Sequence, residues 1–269
     1  MKTSVHLLVI DPQNDFCDIP GAALPVTGAD ADMKRLAAMI NRLGAKLDDI
    51  HVTLDSHNPV DIAHPSWWVN EKGQSPSPFT VISATDVENG VWRTRNPRAQ
   101  AHSLKYAKAL EANQRYQLII WPEHCLIGSW GHNVHADVFA SLTNWARSKQ
   151  AVVDFVTKGS NPMTEHYSAV QAEVPDANDP STMLNLNSGL IPALKSADIV
   201  LIAGEALSHC VASTVRDIAD NFGEDNIKKM VLLSDCSSSV TGYEKNGQQF
   251  IAEMQARGMQ VTTSVDFLA

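Results

Sequence analysis

The sequence predicts an α/β protein, a three-layer α/β/α sandwich around a six-stranded parallel sheet. Two observations carry this expectation. Short runs rich in Val, Ile and Leu recur at residues 5–10, 50–54, 151–156, 199–203, 230–233 and 260–263. Near-continuous apolar runs of this length mark strands covered on both faces. Helical patterns separate them, as parallel strands require, and right-handed crossovers of that kind leave the carboxyl ends of the strands free to bind a ligand.

Taken in order, the first strand, residues 5–10, ends at Asp11. A helix opens at Asp30, a side chain suited to cap it, and carries Met33, Leu36, Ala37, Ile40 and Leu43 on one face before Gly44 stops it. The second strand is followed by a stretch at about 58–115 that holds Pro59, Pro65, Pro76, Pro78, Pro97 and the pair Trp67-Trp68. The third is followed by a second long run, 160–188. Both are too long for simple connections and are expected to be insertions that roof a pocket or touch another subunit. After the fourth strand, Val211, Val215, Ile218 and Phe222 repeat at helical spacing, and Tyr243, Phe250, Ile251 and Met254 do so before the last. No repeat or linker divides the chain, so residues 1–269 are expected to form a single domain.

The formal net charge of -9 and sequence pI of about 5.5 argue against nucleic acid and anionic membrane as partners, since both need clustered Lys and Arg. A small molecule is the expected partner. The apolar stretch at residues 5–10, interrupted by His6, is too short for a signal-peptide core or a membrane span. Cys17, Cys125, Cys210 and Cys236 form no C-x-x-C pair, so neither a disulfide framework nor a cysteine-rich zinc site is expected. A reducing cytoplasm fits this usage.

Cys210 stands where the fourth strand gives way to a helix, in Gly204-Glu205-Ala206-Leu207-Ser208-His209-Cys210. Backbone N–H groups at a helix N-terminus stabilise a thiolate, so a thiol of free pKa about 8.5 is expected to ionise near neutral pH. Asp11 and Lys158 follow the first and third strands and so reach the same sheet edge. Thiol, carboxylate and ammonium together suit nucleophilic attack on an amide or ester. A second cluster begins with Asp55 and His57, two apart on an extended strand end and so pointing the same way. With His124, in Trp121-Pro122-Glu123-His124-Cys125, they complete a three-ligand metal site, and His64 is near enough in sequence to be an optional fourth ligand.

Five segments, Ile10-Asp11-Pro12-Gln13-Asn14-Asp15-Phe16, Thr53-Leu54-Asp55-Ser56-His57, Trp121 to Cys125, Thr157-Lys158-Gly159, and Gly204 to Val211, occur in fixed order over nearly the whole chain. In this the chain resembles the isochorismatase-like cysteine hydrolases, and within them the metal-dependent nicotinamidases. The resemblance implies a Rossmann-like fold, a catalytic triad of Asp11, Lys158 and Cys210, and one divalent ion on Asp55, His57 and His124. Zinc is the first expectation for that ion, with iron and manganese as alternatives for mixed N/O ligands. It also implies a cis peptide before Ala206, whose N–H faces an oxyanion with that of Cys210. Phe16, Trp121 and Tyr167 stand at positions where such enzymes sandwich the substrate ring. The implied reaction is nicotinamide to nicotinate plus ammonia through a Cys210 thioester, a step of NAD salvage. The alternatives are another small amide or ester, or a catalytically silent metal- or ligand-binding protein of the same fold. A homo-oligomer is compatible with the insertions. One departure concerns the residue two before the cysteine: many relatives carry aspartate there and this chain has Ser208.

Overall fold

The computed structural model describes residues 3–183 and 189–268. Six strands form one parallel sheet: β1 (Val5–Ile10), β2 (Asp49–Asp55), β3 (Asp154–Lys158), β4 (Ile199–Gly204), β5 (Met230–Leu233) and β6 (Gln260–Thr262), in the order β6-β5-β4-β1-β2-β3. The order reverses beside β1, which pairs with both β2 and β4. That is the switch point at which open α/β sheets bind ligands, outside the carboxyl ends of the strands.

Alternation along β1 assigns the two faces. Val5, Leu7 and Val9 pack with Met33, Leu36 and Ile40 of α1 (Ala29–Leu43), while Leu8 and Ile10 face the other layer with Val215, Ile218 and Phe222. The long helices are α1, α2 (Gln100–Asn113), α3 (Ala136–Lys149), α4 (Ala212–Phe222) and α5 (Glu244–Ala256). No helix among the described residues is long and apolar enough to cross a membrane.

Three sequence expectations need correction. The third strand begins at Asp154 and runs through Lys158, instead of spanning 151–156. It is an edge strand: Val152 is solvent-exposed ahead of it, and pairing with β2 (Thr53 with Val156, Asp55 with Lys158) sets its limits. Apolar character alone misplaced its start. Asp30 lies inside the first turn of α1 and does not cap it. Asp18 accepts from the Gly28 and Asp30 N–H groups at 2.9 and 2.8 Å and so caps the helix from a distance in sequence.

The stretch at 58–115, read as a long insertion, contains α2, a short helix (Ala84–Glu88) and strand segments that form one small antiparallel pair within it and another with Leu118–Ile119 just beyond it. Ile62, Trp68, Ile82, Tyr106 and Leu110 give it a hydrophobic cluster of its own. Burial of these side chains, at about 1.5–3 kcal/mol each, explains why so long an insertion is ordered. The run at 160–188 is mostly irregular where described; residues 184–188 lie outside the described residues.

β4 ends where the backbone must pass within contact of β1. Gly204 has φ +122°, and a Cβ there would sit 1.9 Å from the carbonyl oxygen of Ile10. Gly204→Ala is expected to lower stability by about 3 kcal/mol or more, from backbone strain and a clash with main chain that cannot move aside. The midpoint of urea unfolding checks this.

Candidate active site

Three strand ends converge at the switch point. Asp11 leaves β1 with φ +44°, a left-handed turn stabilised by its N–H to Thr53 Oγ1 at 3.0 Å and to Thr53 O at 3.2 Å. The Thr53 hydroxyl donates to Asp11 Oδ1 at 2.5 Å. Asp55, two residues on and on the same face of β2, is fixed by Gln13. Its amide donates to Gln13 Oε1 at 2.7 Å, and Gln13 Nε2 donates to its carbonyl at 2.7 Å. Lys158 closes β3. Its Nζ lies 2.9 Å from Asp11 Oδ2, 3.0 Å from Asp55 Oδ1, 2.9 Å from the His166 carbonyl and 3.6 Å from Cys210 Sγ. The structure thus brings together Asp11, Lys158 and Cys210, all buried.

The cysteine sits on a wide helical turn, Leu207–Val211, marked by a bond from the Val211 N–H to the Ala206 carbonyl five residues back. Such turns recur at functional sites. The Glu205–Ala206 peptide is cis, as the resemblance implies.

The electrostatics differ from the sequence expectation for the thiol. Burial pushes Cys210 well above the ordinary thiol range; Lys158 opposes this, and the Asp11 and Asp55 carboxylates add to it. Desolvation and neighbouring negative charge outweigh the helix N-terminus, so the resting thiol keeps its proton. Burial would depress Lys158, yet Asp11 and Asp55 hold it well above its usual value. Burial raises Asp11 against the pull of Lys158, which makes it a stronger proton acceptor than a solvated aspartate. Asp55 goes the other way: His57 and Lys158 overcome its burial and hold it well below the usual carboxylate range.

The predicted metal ligands also meet. Asp55 Oδ2 is 3.1 Å from His57 Nε2 and 3.4 Å from His124 Nε2, and donor atoms of all three lie within 4.8 Å of one another. The far side of each ring is engaged. His57 Nδ1 bonds Asp61 Oδ2 at 3.2 Å, and His124 Nδ1 donates to the Pro122 carbonyl at 2.8 Å. His64 joins them, its ring centroid 5.1 Å from that of His57. Its Nδ1 donates to the Asn58 carbonyl at 3.2 Å, and its buried Nε2 has no hydrogen-bond partner. Two imidazoles held from behind, with Nε2 of each beside the Asp55 carboxylate and His64 packed against them, fit a divalent ion with mixed N/O ligands.

A cavity joins the two clusters. Cys210 and Ala206 form one side, Asp55, His124 and Glu165 the other, and Phe16, Trp121, Tyr167 and His209 the aromatic walls. Trp121 Nε1 donates to the Tyr167 hydroxyl at 2.9 Å, which fixes both rings. Sequence reasoning missed Gln13, Thr53, Glu165 and His209. Glu165 Oε1 lies 3.8 Å from His57 Nε2 and its Oε2 is unpartnered; an acid two residues before Tyr167 was the available signal. His209, next to Cys210, is packed among Tyr116, Trp121, Tyr167 and Tyr243.

The fold defines the class: it is the isochorismatase-like α/β fold seen in solved nicotinamidases and pyrazinamidases. The Acinetobacter baumanii nicotinamidase/pyrazinamidase is similar over 98% of this chain and 98% of its own, with 23% identity and TM-score 0.65. Yeast nicotinamidase Pnc1p bound to the inhibitor nicotinaldehyde matches over 96% of this chain and 99% of its own, at 19% identity and TM-score 0.64. The Pyrococcus horikoshii pyrazinamidase in complex with zinc matches over 97% and 99%, at 19% identity and TM-score 0.56. No protein-family model and no curated protein matches the chain.

Two predictions follow from this geometry. Asp61→Asn weakens the carboxylate behind His57 and is expected to lower metal affinity by about 10–100-fold, read by competition with a chromophoric chelator. The second concerns Glu173, behind Tyr167, which burial pushes up to about 7 against Arg115, whose Nε is 3.9 Å from its Oε2. A carboxyl raised in the folded state contributes its full stability below the unfolded value of 4.5 and loses it as pH rises through about 7. Glu173→Gln should remove this loss, of up to about 3 kcal/mol, so urea midpoints at pH 5 and pH 8 should differ less than in the parent.

Proposed function

We propose that the protein is a metal-assisted cysteine amidohydrolase that converts nicotinamide, or a closely similar heteroaromatic carboxamide, to the acid and ammonia. One observation carries the reading. Lys158 Nζ touches both Asp11 at 2.9 Å and Cys210 Sγ at 3.6 Å, and Cys210 lines a cavity with Asp55 and His124 of the second cluster. The fold shared with the nicotinamidases supports it, as does the zinc complex of the Pyrococcus horikoshii pyrazinamidase.

In this mechanism Cys210 gives its proton to Asp11 as Sγ attacks the carboxamide carbon. Lys158 stabilises the carboxylate and the forming thiolate. Asp11 then passes the proton to the departing amine, ammonia leaves, and a thioester remains. A water that loses its proton to Asp11 hydrolyses the thioester, releasing the acid and restoring the thiol. Phe16, Trp121 and Tyr167 hold the aromatic ring, and the Ala206 and Cys210 N–H groups receive the oxyanion. A divalent ion on Asp55, His57 and His124, zinc being the first expectation with iron and manganese as alternatives, would supply a Lewis-acidic docking point for the ring nitrogen.

Ammonia release from nicotinamide tests the reading. Cys210→Ala should reduce it to background while the metal stays bound, and Asp11→Asn should slow it by about 10²–10⁴-fold. Chelation should act chiefly through KM, since an ion on Asp55, His57 and His124 would supply a docking point for the ring while Cys210 supplies the nucleophile. Full turnover by Cys210→Ala would overturn the assignment in favour of water as nucleophile. Metal and ligand binding without turnover on a panel of amides would make the protein a silent binder.

A further inference from the structure

β2 carries Asp-x-His twice. Asp55-Ser56-His57 lies at its carboxyl end, and Asp49-Ile50-His51 at its amino end, six residues or about 20 Å away at the usual strand rise. The pleat aims Asp49 and His51 to one face of the sheet, and His6 on β1, in register with Asp49, joins them. Donor atoms of His6, Asp49 and His51 lie within 4.8 Å of one another.

The distances within this group suit a shared ion. His51 Nε2 is 3.4 Å from His6 Nδ1 and 3.7 Å from Asp49 Oδ2. At 3.4 Å the two ring nitrogens lie near the outer limit of a hydrogen bond. Two nitrogens each about 2.0–2.1 Å from one tetrahedral ion stand about 3.3–3.4 Å apart, by the geometry of the tetrahedron. His51 is also held from behind, its Nδ1 2.9 Å from Asp154 Oδ2, which leaves the Nε2 lone pair directed at the group. This is the carboxylate–histidine relay that orients metal-bound imidazoles. Both rings are buried, whereas the Asp49 and Asp154 side chains are 38% and 49% exposed and leave an entry path.

We propose that His6, Asp49 and His51 bind a second divalent transition-metal ion at the amino edge of the sheet, with Asp154 orienting His51. Two imidazoles and one carboxylate favour zinc and leave the fourth position to water. The nucleophile lies at the opposite edge, so the role there is to tie β1 to β2, and the inference does not depend on the proposed reaction.

The test is the zinc stoichiometry of the chelator-stripped full chain, by equilibrium dialysis with elemental analysis. Two equivalents are expected in the parent protein, one in Asp49→Ala, and one in His57→Ala with His124→Ala. The partly exposed position of Asp49 makes its variant safe for folding, which circular dichroism verifies. In the His57→Ala, His124→Ala background, cobalt(II) should still give the absorption of a nitrogen-ligated site, and Asp154→Asn should weaken it by about tenfold or more. An unchanged count in Asp49→Ala, or no binding in that background with the fold intact, would overturn the proposal.

Discussion

The ion cluster around Lys158 is the constraint on which the site depends. Its ammonium is wholly buried, and withdrawing such a charge from water costs several kcal/mol unless opposite charges and acceptors surround it. Asp11, Asp55 and the His166 carbonyl do so at 2.9, 3.0 and 2.9 Å. Because the three charged groups come from the ends of three adjacent strands, the cluster also constrains the sheet. Asp55 is registered with Lys158, and a slip of one residue would turn one of them to the opposite layer. The buried charge and the strand pairing therefore demand each other.

Asp55 extends this dependence to the metal cluster. Its Oδ1 meets Lys158, and its Oδ2 meets His57 and His124. One carboxylate so shared cannot rotate to favour one partner without leaving the other buried and unpaired. Gln13 clamps its backbone and Gly159 gives it room: a Cβ on Gly159 would stand 2.7 Å from Oδ1, at a φ of +84° that disfavours a side chain in any case. The carboxyl edge of β2 thus couples the Lys158 ion cluster to the His57 and His124 pair through main chain held by Gln13.

Much of this was legible in the sequence, and the limits have physical causes. All six strands were visible as short runs rich in apolar residues between helical patterns; of the two edge strands, β6 and β3, β3 was misplaced because the apolar run ahead of it, with Val152 exposed, extends beyond its pairing with β2. Asp11, Lys158 and Cys210 were found because strand ends are easy to locate and a parallel sheet gathers them at one edge. Gln13 and Thr53 were missed because they act across 42 residues of sequence, through pairings that depend on which strands are neighbours. Asp18, capping a helix ten residues on, was hidden for the same reason. The thiol was misjudged because helix position is local and readable, whereas the burial that raises Cys210 belongs to the whole fold.

Ser208 shows how a departure from the family pattern is accommodated. Its hydroxyl accepts from the Val240 amide at 3.1 Å and pairs with His209 Nδ1 at 2.9 Å, so the loop after β5 is still tied to the cysteine turn. What differs is charge. His209 is held at a pKa of about 4 by burial, and with a neutral hydroxyl beside it the ring is uncharged at neutral pH. A carboxylate at 208 would favour the imidazolium by Coulomb attraction at contact distance, inside a wall of Tyr116, Trp121, Tyr167 and Tyr243. With serine, the wall next to Cys210 stays neutral and aromatic, leaving Asp55, His124 and Glu165 as the ionisable groups beside Cys210 and His209 in the cavity lining.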